Sequence, residues 1–590
     1  MQKIWKVLPE APKTFLEENK DLPIIVANLL FHRKIFTKET IGEFLNPDYE
    51  KHVQDPFIFS DMKKACKRIF TAIEKKEKII IHGDYDADGV TSSAILFLTL
   101  KNIGAENLDI YIPHRETEGY GLNLKTIENL SNEKTNLIIT CDCGISNFTE
   151  IELANEKNIN VIITDHHEIP EKIPNAYAII HAKLEKKFKS KDIAGCATAF
   201  KLAQGLLKTH KEQKNNKLND GNSHEYFEKW LLDLVAIGTI ADMVPLLNES
   251  RTLTQFGMII LNRTKRVGLQ KLLLESRLAE EDGTKKQEIT SEMISFQIAP
   301  RLNAAGRMNH ANVAYNLLVT KKATEAVDLA FELDQNNLER QKLTDELVNQ
   351  VIKDIEKKQK NKDIIFFLGQ KWSTGIVGLI ASKIKEKYYK PTIVMAENDG
   401  EITGSGRSID GFNIIESLQE MNELFTKFGG HPMACGFSLK TKDNLVDFEQ
   451  KMLKKYQEKT VGLDMSPVLN IDMEIDINEI DAHLFTLLEK FKPFGKDNEK
   501  PKFLAKNLEI FSFQGVGKDS KHLKMMLRKD GKIKKFIGWN LCNEKNDKTN
   551  WCGNIKVGDK IDIVFEIDKN VWNGNKEIQH TIIDLKKSNI

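Results

Sequence analysis

The sequence predicts two α/β domains joined by one long helix, with a small OB-like β-barrel after them. Three observations carry that prediction. Short apolar runs alternate with helix-periodic segments from about residue 78, and the pattern returns from Ile364. Between Lys321 and Lys360 there is neither Pro nor Gly, while Leu343, Leu347, Val351 and Ile355 recur at four-residue spacing. Beyond about Asp464 the chain turns to strand alternation broken by Asp530-Gly531 and Asn573-Gly574. Continuous β-branched runs separated by helices indicate a parallel sheet covered on both faces. A four-residue apolar repeat indicates an amphipathic helix, and turn-separated alternation suits a barrel.

Taken in order, residues 1–60 read as a helical lead-in, amphipathic around Ile24–Phe31 and stopped at Asn46-Pro47. The first α/β unit spans 61–260, with strands at Ile79–Ile81, Asp109–Ile112, Leu137–Thr140, Val161–Thr164 and Ala178–Ile180. Val90–Lys101 and Ser146–Lys157 are two of its helices. Lys211–His224 is polar and reads as an exposed loop ahead of the apolar helix Trp230–Ile240. A helical connector occupies 261–360, the second α/β unit 361–463 and the barrel 464–590.

Composition excludes several classes. The 590 residues suit about three to five domains. Lys+Arg 86 against Asp+Glu 85 leaves a net +1, so any nucleic-acid surface must be local. Seven scattered cysteines do not make a disulfide scaffold and suit a reducing cytosol. No apolar run approaches the ~20 residues of a membrane span, and the opening MQKIWKVLPEAPK lacks a signal pattern. The expectation is a soluble, cytoplasmic protein.

Four clusters of acids and imidazoles sit at predicted strand or helix ends. They are His82-Gly-Asp84-Tyr-Asp86-Ala-Asp88-Gly89, then Asp142, then Asp165-His166-His167, and lastly Asp242 closing a helix. In a doubly wound sheet the carboxyl ends of the strands converge on one crevice, which gathers these residues. Unpaired carboxylates cannot crowd together without cations, because each raises the others' pKa. Mixed carboxylate and imidazole ligands suit Mn²⁺ or a similar divalent ion. Two such ions about 3.5–4 Å apart clamp a phosphodiester and activate a water. Asp84-x-Asp86-x-Asp88-Gly89 also opens like an EF-hand loop, but the preceding run is strand-like and position 12 is Ile95. Cys141 and Cys143 lack a second pair at zinc spacing and read as packing residues.

These clusters resemble the four motifs of the DHH phosphoesterase superfamily. Further segments resemble the RecJ single-strand-specific DNA exonucleases: FQIAPRLNAAGR (296–307), STGIVGLIASKI (373–384), GSGRSIDGFN (404–413) and GGHPMACGF (429–437). So do KPFGKDNEKP (492–501), KHLKM (521–525) and WNGN (572–575). The resemblance implies that His82, Asp86 and Asp142 hold one metal. Asp88, Asp142, His166 and Asp242 would hold the other, with Asp142 bridging. It places His167 beside the scissile phosphate and Asp165, with Asp84, in supporting positions. One departure is His181-Ala182, where the family commonly has Asn-Pro; the structural-turn reading is favoured there.

Arg301, Asn303 and Arg307 lie in a segment with Pro300 and Gly306 that reads as a loop, where arginines either grip phosphate or pair with nearby acids. Ser405, Arg407, Ser408, Gly430 and His431 occupy glycine-containing turns suited to anions. By resemblance, Arg407 and His431 contact the nucleotide. From Lys521 to Lys535 there are seven basic residues, Lys521 and Lys524 among them, and one acid. With Phe536, Trp539 and Trp572 they suit a single-strand groove of the OB type.

The resemblance implies a 5′→3′ single-stranded-DNA exonuclease of DNA repair and recombination, using two divalent cations, Mn²⁺ first and Mg²⁺ second. It also implies a monomer working with a single-strand-binding protein and a helicase. A phosphodiesterase of short oligonucleotides or cyclic dinucleotides would lack the barrel. An inactive strand-binding scaffold would have lost ligands that this chain keeps.

Overall fold

The computed structural model describes residues 3–213, 217–359, 362–542, 550–572 and 575–588. Five strands form one wholly parallel sheet in the spatial order Leu108–Tyr111, Ile79–His82, Leu137–Cys141, Asn160–Thr164, Ala178–Ile180. The chain therefore steps one way from Ile79–His82, then starts again on its other side at Leu137–Cys141. The boundary between those two strands is the switch point, where the connecting segments part and leave a crevice.

Side-chain alternation explains why both faces are covered. Ile79, Ile81, Leu137 and Ile139 pack with the helices Met62–Glu74, Ala87–Asn102, Gly195–Glu212 and Leu232–Ala241. Ile80, Ile138, Val161 and Ile163 pack on the other face with Ile127, Leu130, Ile151 and Ala154. The expected loop at Lys211–His224 is partly buried, since Leu218 and His224 are in the interior. Residues 214–216 of that stretch lie outside the described residues.

The long helix runs Ala323–Asp354 and continues into a π-turn, Ile355–Gln359. Ala326, Ala330 and Leu333 belong to the first core. Val351 and Ile355 pack with Ile365, Trp372 and Ile376 of the second unit. One element is thus built into two cores and fixes their spacing. The second unit is a five-stranded sheet ordered Phe425–His431, Ala434–Leu439, Glu401–Arg407, Thr392–Asn398, Ile365–Gln370. Only its Ile365–Gln370 and Thr392–Asn398 pair is parallel. The glycines expected in turns lie instead in strands. A Cβ on Gly404 would stand 2.3 Å from the Phe437 ring, and one on Gly406 2.6 Å from Cys435 Sγ. Close packing, rather than chain reversal, demands them.

Among the described residues the C-terminal sheet has six strands; Phe503–Val516, second in the order, pairs with its neighbour His522–Lys529 and also with Lys560–Trp572 at the far end, which closes the barrel. The lead-in packs here. Phe15, Leu29, Leu30 and Phe44 share a core with Phe491, Phe503 and Leu508, and Ile4–Val7 pairs in parallel with Val468–Ile471. Buried Arg251 ties the pieces together, donating to the carbonyls of Phe44, Phe491 and Lys490 at 3.1, 2.9 and 2.8 Å. Cys542 and Cys552 form a disulfide, while Cys66, Cys141, Cys143, Cys196 and Cys435 are buried and unbonded. The turn at Asn573-Gly574 and the side chain of Trp572 lie outside the described residues. Among the described residues no helix is long and apolar enough to cross a membrane.

Candidate metal centre

The strand Ile79–His82 delivers His82, and the chain then enters the helix Ala87–Asn102. Asp86 caps that helix, its Oδ1 accepting the amides of Asp88 at 2.9 Å and Gly89 at 3.1 Å. Asp88 caps a second helix, accepting from the amides of Gly195 at 2.6 Å and Cys196 at 2.9 Å. Asp142 follows its strand with φ 61°, a left-handed conformation that Asp tolerates better than most residues. A Cβ on Gly195 would lie 2.5 Å from Asp142 Oδ1, and one on Gly238 2.6 Å from Asp88 Oδ1. Two glycines, neither legible as functional in the sequence, make room for two carboxylates.

Asp165 organises the imidazoles. Its Oδ1 accepts from the amides of His166 at 2.7 Å and His167 at 3.2 Å and from His167 Nδ1 at 2.8 Å, and its Oδ2 from the Ile145 amide at 2.9 Å. Burial pushes Asp165 up, but the His167 bond and charge outweigh it and hold the carboxyl below the usual carboxylate range. Burial likewise pulls His167 down, and Asp165 reverses this to about 9. The Tyr120 hydroxyl donates to the Asp142 carbonyl at 3.0 Å and lies 2.9 Å from His167 Nδ1. Sequence reasoning missed Tyr120, because only the fold brings it here. His181 is a structural turn: its Nδ1 accepts the Lys183 amide at 3.2 Å, so Nε2–H donates to the His167 carbonyl at 2.9 Å.

The predicted acids and imidazoles converge. His166 Nε2 lies 3.1 Å from Asp142 Oδ1, 3.6 Å from Asp242 Oδ2 and 4.0 Å from Asp88 Oδ2. Among the described residues three sets have ligand atoms mutually within 4.8 Å: Asp88–His166–Asp242, Asp84–Asp86–Asp142 and Asp142–His166–His167. Asp84 thus joins Asp86 and Asp142, a place expected for His82. His82 is fully buried beside Cys143, whose Sγ lies 3.8 Å from His82 Nδ1.

The donor set fits divalent cations. His82 Nε2, Asp84 Oδ1, Asp142 Oδ1 and His166 Nε2 are buried without a hydrogen-bond partner, an arrangement costly unless something else satisfies them. Burial and then mutual repulsion push Asp88 up to about 6 and Asp242 to about 9, and hold Asp84 and Asp142 well above the carboxylate range. Burial lowers His82 to about 4 and His166 to about 3, leaving neutral imidazoles able to ligate. A cation beside them relieves both the repulsion and the missing partners.

The residues expected to grip substrate divide into two groups. Arg301, Asn303 and Arg307 lie on a helix, Ala299–Met308, not a loop. Arg301 pairs with Asp334 at 2.8 Å, and Asn303 Oδ1 accepts the Ala87 amide at 2.7 Å, holding the acidic loop. Ser408 is fully buried and donates to the Phe412 carbonyl at 2.6 Å, so it serves the fold. Arg307 differs. Partly buried, and with Arg115, Arg340 and Arg407 near it, its pKa falls to about 9. Its Nη1 reaches the Gly375 carbonyl at 2.6 Å in the second unit. Arg407 donates to Ser382 Oγ at 3.1 Å and to Ser405 Oγ and the Gly406 carbonyl at 2.8 Å, and Ser405 Oγ donates to the Cys435 carbonyl at 3.1 Å. Gly430, at φ 142°, sits where a Cβ would strike the Ala434 carbonyl at 2.3 Å, and His431 beside it is exposed. On the barrel, Lys521 and Lys524 are exposed, Trp539 is 52 % exposed and Phe536 is core. Arg115 and Arg340, which no sequence motif singles out, complete the cationic side of the crevice.

Carboxylates and imidazoles at a switch point, faced by Arg407 of the second unit and by Arg307 on the helix before it, define a divalent-metal phosphoesterase. The chain matches the DHH family, N-terminal domain over residues 78–239, the DHHA1 domain over 346–458 and the RecJ OB domain over 471–584. It is 37% identical to the single-stranded-DNA-specific exonuclease RecJ of Bacillus subtilis, over 97% of this chain and 69% of that one. Against the protein of the same name from Escherichia coli it is 31% identical, over 96% and 97% of the two chains. The structure of RecJ from Thermus thermophilus in complex with Mn²⁺ superposes with a TM-score of 0.80 at 25% identity, covering 100% of this chain and 80% of that one. The chain belongs to the RecJ family of DHH phosphoesterases.

Proposed function

We propose that this chain is a cytoplasmic exonuclease that degrades single-stranded DNA from the 5′ end during repair and recombination, hydrolysing each phosphodiester with two divalent cations. The observation that carries this reading is the convergence of Asp88, Asp142, His166 and Asp242 on one point, with Asp142 shared by a second set containing Asp84 and Asp86. By this reading His82 completes the second set, and Mn²⁺, with Mg²⁺ as alternative, is the ion. Bound there, the ions supply an activated water and neutralise developing charge. His167, its Nδ1 held by Asp165, offers Nε2 to the scissile phosphate.

Arg307 and Arg407 are the positioning pair. Among the described residues neither has a carboxylate partner, and both lie by the N-terminus of the helix Thr374–Tyr388, whose orphan amides favour anions. His431 lies close enough to Glu168, just after the imidazole pair, to help lower its pKa after Lys183 does. The exposed Lys521 and Lys524 extend the grip to strand lying on the barrel. The same reading has the chain work as a monomer beside a single-strand-binding protein and a helicase. Product analysis with 5′- and 3′-labelled single strands, duplex and a dinucleotide, each with and without Mn²⁺, tests it. Stepwise mononucleotide release from the 5′ end of single strands alone, only with Mn²⁺, is expected. Internal cuts, or hydrolysis of the dinucleotide alone, would overturn it.

A further inference from the structure

Cys141 and Cys143 flank Asp142, and both are fully buried. Their surroundings differ. Cys141 belongs to the hydrophobic core on one face of the parallel sheet. Cys143, among the described residues, belongs to no hydrophobic core. Its Sγ lies instead against two polar atoms of one residue, 3.8 Å from His82 Nδ1 and 3.7 Å from the His82 carbonyl oxygen. The turn that carries it is fixed. The Thr140 hydroxyl donates to the Cys143 carbonyl at 2.7 Å, and a Cβ on Gly144, at φ 114°, would meet Thr140 Oγ1 at 2.8 Å.

The His82 ring has few ways to hold its proton. It stacks on Tyr111, with 5.3 Å between centroids and 28° between planes, and the Tyr111 hydroxyl is tied in turn to Glu118 and Thr126. His82 Nε2 is buried without a hydrogen-bond partner. A neutral imidazole carries one proton, on Nδ1 or on Nε2. On Nε2 that proton would be buried with no acceptor. On Nδ1 it meets the Cys143 sulfur, a weak acceptor, while the thiol proton goes to the His82 carbonyl. This arrangement gives both protons an acceptor and leaves Nε2 a bare lone pair, the form of imidazole that ligates a cation.

We infer that Cys143 is a positioning residue of the metal centre: it accepts the Nδ1 proton of His82 and so fixes the ring and the tautomer that present Nε2 to one divalent cation. The inference rests on the reading of His82 as completing the set of Asp84, Asp86 and Asp142. Ligand imidazoles are ordinarily held in this way by a carboxylate, a backbone carbonyl or a water. Asp165 does so for His167, and at His82 the thiol takes that place. A neutral sulfur holds the ring without adding another negative charge to a site where carboxylates already crowd and repel.

The test is calorimetric titration of Mn²⁺ into the full chain without DNA, comparing wild type, Cys143→Ala, Cys143→Ser, His82→Ala and the Cys143→Ala, His82→Ala double variant. Cys143→Ala is expected to weaken one of the two ions by about tenfold to hundredfold, the loss typical of removing an imidazole's outer partner, with thermal unfolding little changed. Cys143→Ser, whose hydroxyl both donates and accepts, should recover most of that affinity. On the His82→Ala background Cys143→Ala should cost nothing further, because the residue acts through His82. Cys143→Val, which removes the hydrogen bond and leaves no cavity, takes the place of Ala if the smaller residue fails to fold. Wild-type affinity in Cys143→Ala, or the same loss on both backgrounds, would overturn the assignment. Failure of the wild type to bind two ions would instead overturn the two-ion reading on which it rests.

Discussion

Asp142 shows how much a single residue must satisfy. It needs a left-handed backbone, a neighbour without a Cβ at Gly195 and a carbonyl free to accept from Tyr120. Gly195→Ala should therefore displace the carboxylate while leaving every ligand residue in the sequence unchanged. The new methyl would meet Asp142 Oδ1 at 2.5 Å, and Mn²⁺ affinity, read by calorimetry, should fall about tenfold or more. Unchanged affinity would show that the helix end yields instead. The acids are legible in the sequence because each follows a β-branched run, and the strand ends of such sheets converge. Gly195, Gly238 and Tyr120 are not, since each matters through a contact made across the fold.

At the scale of elements, the helix Ala299–Met308 reads as a loop in the sequence on the strength of Pro300 and Gly306. Pro300 follows the π-turn Ile294–Ile298, whose Ile294 carbonyl accepts the Ala299 amide, so the missing amide falls where one helical hydrogen-bond pattern hands over to the other. Gly306 is required because a Cβ there would stand 2.6 Å from the Tyr85 carbonyl. The same residue types that signal turns also permit close approach, and the sequence does not separate the two. The helix assigns its arginines different work. Arg301→Met loses the part-buried bonds to Asp334 and should lower stability by about 1.5–3 kcal/mol, with KM for single strands unchanged. Arg407→Ala, which removes no ion pair, should instead cut turnover on single strands strongly while Mn²⁺ affinity stays. Thermal unfolding and steady-state kinetics on both variants check this; a raised KM in Arg301→Met would contradict the division.

For the whole molecule, the long helix is plain in the sequence, since its apolar repeat is local. The union of the lead-in with the barrel is not, because Phe44 and Phe491 meet across more than four hundred residues. That union, sealed by Arg251, fixes the barrel against the first unit and defines the route from its basic face to the crevice. Lys521, Lys524 and Lys535 are exposed and unpaired among the described residues, while Arg528 and Lys529 are taken by Glu509 and Asp476. Replacing Lys521, Lys524 and Lys535 by Glu should weaken binding of long strands. The slope of log affinity against log salt should shrink by about 0.7 for each phosphate no longer neutralised. An unchanged slope would mean that the strand does not lie on this face.

On the proposed reading one carboxylate, Asp142, serves two metal sets. Calorimetric titration of Mn²⁺ into wild type and Asp142→Asn, without DNA, tests it most directly, because Asn keeps the left-handed backbone and removes the charge. Two ions should bind the wild type, and at most one, weakly, should bind Asp142→Asn, with hydrolysis abolished and thermal unfolding preserved. Two ions bound by Asp142→Asn with wild-type affinity would contradict the shared carboxylate.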